Sequence, residues 1–175
     1  MRFFLPLLLS ALLVGCPKGG AETSGSTESS VPKADRVVDE VSDEELMALL
    51  DVLGYEPELL EAGSMTFELD LGRVLLLNEK GRFLQLFYLT TGGVWSHDLL
   101  NNWNRSRYLA RGYIDQDGDL VLQADLPMLG GITERQIATF VAVFNSALAV
   151  FVTEVVTMGM DAPEPEEPSE DDVFH

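Results

Sequence analysis

Apolar and polar positions alternate on both sides of Asp117-Gly118: Tyr108, Ala110, Gly112 and Ile114 before it, Leu120, Leu122, Ala124 and Leu126 after it. Period two buries one face of a strand, and an Asp-Gly pair suits a two-residue turn with positive φ, so the pattern predicts a β-hairpin. Upstream, Ser42-x-x-Glu45 is a capping box that opens a helix through Leu46, Leu49, Leu50 and Leu53, with Gly54 as its stop. Three strand-like runs follow. Met65, Phe67 and Leu69 alternate with polar residues, and Val74 to Leu77 is wholly apolar, as at a sheet centre. Arg82 to Leu89 puts Phe83 and Gln85 on one face and Leu84, Leu86 and Tyr88 on the other. Ser96 caps a short helix holding Leu99, Leu100 and Trp103.

The last element starts at a second capping box, Thr133-x-x-Gln136, and runs uncharged from Ile137 to Thr153. A membrane span is one reading of so apolar a stretch. The residues sort against it: Ile137, Phe140, Val141, Phe144, Leu148, Phe151, Val152 and Val155 share a helical stripe, with Thr139, Ser146 and Thr153 opposite. That is the pattern of a core helix. The predicted order is helix, three antiparallel strands, helix, β-hairpin, long C-terminal helix, an α+β sandwich with a five-stranded sheet.

Charge narrows the partners. Asp and Glu outnumber Lys and Arg by 29 to 11, and the net charge is −18. Between 42 and 159 there are only seven basic residues, too few for a phosphate-neutralising face, so nucleic acid is not an expected partner. The lone cysteine, Cys16, rules out a disulfide within the chain and a cysteine-based zinc site.

Cys16 has another use. Arg2 precedes an apolar run from Phe3 to Val14, and the run ends in Leu13-Val14-Gly15-Cys16. This resembles the bacterial lipoprotein signal, in which the cysteine is lipidated and becomes the new N-terminus. The resemblance implies a signal peptide over 1–15, lipidation at Cys16 and a membrane partner reached through the lipid. Pro17 stands where inner-membrane lipoproteins of this kind carry Asp, which favours the bacterial outer membrane, facing the periplasm. Residues 16–41, rich in Gly, Ser, Thr and Glu, read as a disordered tether, and 160–175, with three prolines and seven acids, as a disordered acidic tail. The folded domain is then 42–159.

Within that domain, Leu100-Asn101-x-Trp103-Asn104-Arg105, then Arg111-x-Tyr113-x-Asp115-x-Asp117-Gly118-x-Leu120, then Asp125-Leu126 and Gly130-Gly131-Ile132-Thr133 form a set. The set resembles the YbjN-domain family of bacterial proteins, labelled sensory transduction regulators and similar in fold to type III secretion chaperones. The resemblance implies a protein-binding or regulatory module, often dimeric, with no catalytic residue to carry over. The lipoprotein signal departs from the cytoplasmic members and argues against a chaperone acting before export.

The candidate chemistry is sparse. Asp115, Asp117 and Asp119 lack the spacing of a calcium loop, since Gly118 falls at the fourth position and Leu126 at the twelfth. A calcium sensor is one alternative in spite of that mismatch, and a carboxylate enzyme drawing on Glu68, Asp70 and the 115–119 acids is another. His97 and His175 have no ligand spacing to each other. No catalytic residue, metal or cofactor is expected. Arg105, Arg107 and Arg111 are three of the seven basic residues, and read either as a surface paired with acids such as Asp115 and Asp125 or as a docking patch for an acidic segment, the chain's own tail included. Asn101 and Asn104 are expected to cap or end the short helix. A protein partner or a second copy is the expected binding mode.

Overall fold

The computed structural model describes residues 37–80 and 82–162. They form strand β1 (Val37–Val38), helix α1 (Asp43–Val52), strands β2 (Glu58–Glu61), β3 (Ser64–Leu69), β4 (Gly72–Asn78) and β5 (Phe83–Thr90), and helix α2 (His97–Ser106). Strands β6 (Arg111–Ile114), β7 (Leu120–Pro127) and β8 (Ile132–Thr133) follow, then helix α3 (Glu134–Phe151). A π-helical turn at Val152–Val156 runs straight into the last helix, α4 (Thr157–Met160). The α+β architecture is the expected one, an antiparallel sheet ordered β2-β3-β4-β5-β7-β6 with helices on it.

Local chemistry starts the helices where the capping signals stand. In both capping boxes the arms close reciprocally: Glu45 N donates to Ser42 Oγ and Ser42 N to the Glu45 carboxylate, and Thr133 and Gln136 repeat the exchange. Burial then fixes which face points where. Met65, Phe67, Val74, Leu76, Leu84, Leu86, Leu120 and Leu122 fill one face of the sheet. They share a single core with Leu46 and Leu50 of α1, Leu100 and Trp103 of α2, and the α3 stripe. By length and composition, Glu134–Met160 could cross a membrane. Its stripe packs on the sheet, with Ile137, Val141, Phe144, Leu148 and Phe151 each at most 1% exposed. On the opposite, uncharged face each hydroxyl is satisfied within the helix. Thr139, Ser146 and Thr153 donate to the carbonyls of Arg135, Ala142 and Ala149 at 2.8, 3.0 and 2.9 Å.

Four expectations need correction. Among the described residues the main sheet has six strands, one more than the five the alternation predicts. The extra one, β2, is an edge strand whose Glu58-Leu59-Leu60-Glu61 is exposed throughout, so no alternation announces it. Val37–Val38 pairs with Ile132–Thr133, and Val41 is buried. The folded region thus takes in residues 37–41 from the expected tether of 16–41. The hairpin turn is longer than two residues. Asp115 N donates to Asp119 O, Gly118 N to Asp115 O, and Gly118 alone has positive φ (+86°) among the turn residues. That is a three-residue loop, a type I turn closed by a left-handed glycine. Last, Tyr108 is 89% exposed and lies outside β6, because Leu109 takes φ +73° and turns the chain out of the ladder. The signal (1–15), Cys16, the rest of the tether and the tail from 163 on lie outside the described residues.

Candidate functional site

The motif residues converge where α2, β6, β7 and the end of α3 meet. Trp103 is 4% exposed and sets its indole edge-on to Phe151, with ring centroids 4.9 Å apart at 76°. One residue on, Asn104 points the other way. Its side chain does not end the helix, as expected, but clamps β6: Gly112 N donates to Asn104 Oδ1 at 2.8 Å, and Asn104 Nδ2 donates to Gly112 O at 2.9 Å. A primary amide here stands in for a neighbouring strand at the sheet edge. Gly112 is required on packing grounds too, since a Cβ would sit 2.7 Å from Phe151 Cε2 and 3.0 Å from Leu100 Cδ2. Asn101 is exposed on the same helix.

Asp115 serves the turn. Its Oδ1 accepts from Asp117 N at 3.0 Å and Asp119 N at 2.9 Å, which holds the loop that Gly118 closes. No group of metal-ligating side chains is present among the described residues, so the calcium reading finds no site there. The other acids are dispersed. Glu68 is engaged by Arg73 Nε at 2.8 Å, and Asp70 by Asn145 Nδ2 at 2.8 Å. Glu68 and Asp115 line different cavities, so the carboxylates weighed for an enzyme do not gather.

The three arginines divide. Arg107 Nη2 donates to both carboxylate oxygens of Glu154, at 2.5 and 2.6 Å, in the π-helical turn. Arg111 Nη2 lies 3.0 Å from Asp125 Oδ2. Arg105 is exposed and pairs with no acid among the described residues. Arg107 and Arg111 line one cavity of about 310 Å³ with Asn104, Leu109, Ala110 and Asp125. Asp125 is itself held: its Oδ1 accepts from Gln85 Nε2 at 2.6 Å and Gln123 Nε2 at 2.9 Å. A second cavity, also about 310 Å³, adjoins at Leu109, Ala110 and Asp125. It opens between Ala124 and Leu126 of β7 and Phe140, Val143, Phe144 and Ala147 of α3, with Arg135 at its rim. Sequence reasoning missed Glu154, Gln123 and Leu109. Glu154 carries no local signal because its partner Arg107 lies 47 residues away, Gln123 reads as one more strand position, and nothing in its residue type marks Leu109 for positive φ.

A family model described as "YbjN: Putative bacterial sensory transduction regulator" matches residues 42–156. No curated protein matches the chain by sequence. Among the solved structures that match is one described as "Crystal structure of YbjN, a putative transcription regulator from E. coli". It is 16% identical, with a TM-score of 0.58, over 73% of this chain and 100% of that one.

Proposed function

The chain belongs to the YbjN family, and from that premise we propose that it is a bacterial lipoprotein whose folded domain is a non-catalytic protein-binding or regulatory module. The observation that carries the reading is the use to which the family motif is put. Trp103, Asn104, Gly112 and Asp115 are all turned to holding backbone and core, and among the described residues no reactive cluster forms around them. The surface left over at this corner, an apolar cavity beside an arginine-lined one, is suited to recognition. Lipidation at Cys16 would anchor the domain in the cell envelope, on the periplasmic face of the outer membrane given Pro17. Several acyl chains give lasting attachment where one is marginal.

Chemical crosslinking in intact bacteria, followed by affinity capture from solubilised membranes, tests this. A discrete protein crosslinked to wild type, or to a second copy of the chain, is expected. Recovery of the uncrosslinked monomer alone would sink the binding-module reading.

A further inference from the structure

We infer that the apolar cavity between β7 and α3 is plugged by the chain's own Val173-Phe174, carried back along α3 by the acidic tail. The cavity exists because β6 stops short. Arg111 pairs with Gln123, and the ladder would next set residue 109 opposite Asp125. Leu109, at φ +73° and 74% exposed, has left the ladder. The gap opens onto Ala124 and Leu126 of β7 and onto Phe140, Val143 and Ala147 of α3. Its volume of about 310 Å³ lies at the small end for ligand pockets, which run from roughly 300 to 1,000 Å³. One or two apolar side chains suit a space of that size. Beside it, Arg107 and Arg111 are already held by Glu154 and Asp125, so the anchor is apolar and not ionic.

The sequence beyond the described residues supplies an occupant of matching size. From Pro163 to Asp172 it holds Pro, Glu, Ser and Asp alone, and Val173 and Phe174 then stand together as its one large apolar pair. Their reach fits. Val143 lies 19 residues before Ala162, roughly 28 Å back along the helix at about 1.5 Å per residue. A Pro-rich linker advances roughly 3.1 Å per residue, so the 11 residues from Pro163 to Val173 can cover roughly 34 Å. The small excess serves the reversal of direction. Charge sets the route. Residues 42–159 carry 17 acids against seven bases, a field that repels an acidic tail. The exposed face of α3 is the exception, because no residue from Ile137 to Thr153 is charged. A short tether also holds its end at an effective concentration of about a millimolar, so a weak apolar contact is enough to keep the plug seated. The inference stands apart from the binding-module reading, since the plug needs no second protein. Any partner that enters the cavity must first displace it.

The test uses the full chain in intact bacteria, with the photocrosslinker p-benzoylphenylalanine in place of Phe174. Irradiation is expected to give crosslinks within the monomer, mapped by mass spectrometry to Leu126, Phe140 and Val143. Thr139→Trp, at the exposed rim of the cavity, should cut their yield at least fivefold by filling the space. A second readout leaves the photoprobe out. Thr139→Cys should react with a maleimide at least threefold faster when Phe174→Ser is also present, measured at that site by mass spectrometry. Crosslinks spread over the domain or confined elsewhere would overturn the plug, as would a Thr139→Cys rate indifferent to Phe174→Ser. Crosslinks to the same three residues of a second copy, found in a dimer band, would overturn it in favour of tails exchanged between chains. Crosslinks to a different protein would overturn it in favour of a tail that is itself a partner's ligand.

Discussion

Replacing Asn104 by Ala removes both hydrogen bonds that close the edge of β6. The two bonds, at 2.8 and 2.9 Å, run from exposed Asn104 to the N–H and the C=O of one buried residue, Gly112, and are themselves part-buried. A typical bond of this kind contributes about 1 kcal/mol net, and a buried group left unpaired costs about 1–3 kcal/mol. Water reaches a part-buried edge, so the lower end applies to each group, and the sum comes to about 2–4 kcal/mol. Against a total stability of roughly 5–15 kcal/mol this is a large fraction. For a folded region of about 125 residues, with an unfolding entropy of about 2.1 cal/mol/K per residue, 3 kcal/mol lowers Tm by roughly 11 °C. Thermal and urea melts of wild type, Asn104→Ala and Asn101→Ala measure it. Asn101, exposed on the same helix, controls for helix propensity and should change stability by less than about 0.5 kcal/mol. Native-state exchange adds a local readout, because the Gly112 amide should lose protection out of proportion to the global change. A loss at 104 no greater than at 101, or a Gly112 amide unmoved beyond the global shift, would refute the clamp.

Phe144→Ala should cost about 3–5 kcal/mol through a cavity under α3, while Ser146→Ala on the exposed face should stay within about 0.5 kcal/mol; near-equal losses in urea melts would contradict the assignment of faces. Gly112→Ala should cost about 1–3 kcal/mol by overpacking against Phe151 and Leu100, and a melt indistinguishable from wild type would show that the corner yields more easily than its contacts imply. Cys16→Ser should abolish incorporation of labelled palmitate and leave the precursor unprocessed by the lipoprotein route; equal labelling of both forms would remove the lipoprotein reading.

Periodicity and capping are local, and they make the main elements legible in the amino-acid order itself. Ser42 and Thr133 start helices because a side-chain oxygen three residues from a free N–H suffices, whatever lies elsewhere in the chain. The stripe from Ile137 to Phe151 and the alternation from Leu120 to Leu126 are each written in one contiguous segment, so polarity alone distinguishes core helix from core strand. The motif from Leu100 to Thr133 likewise marks the family. Roles that depend on partners distant in sequence are out of its reach. Asn104 reads as a helix terminator because nothing local says that Gly112 lies beside it, and Arg107 gives no sign of Glu154, 47 residues on. The strand β2 is exposed throughout, and an edge held by backbone pairing to β3 leaves no hydrophobic signature. Leu109 shows the same division most sharply. Its sequence context reads as strand, and only the packed fold holds it at positive φ, ending the ladder and opening the edge at Asp125. That edge depends on where a ladder stops, and tertiary contacts, more than residue type, decide it.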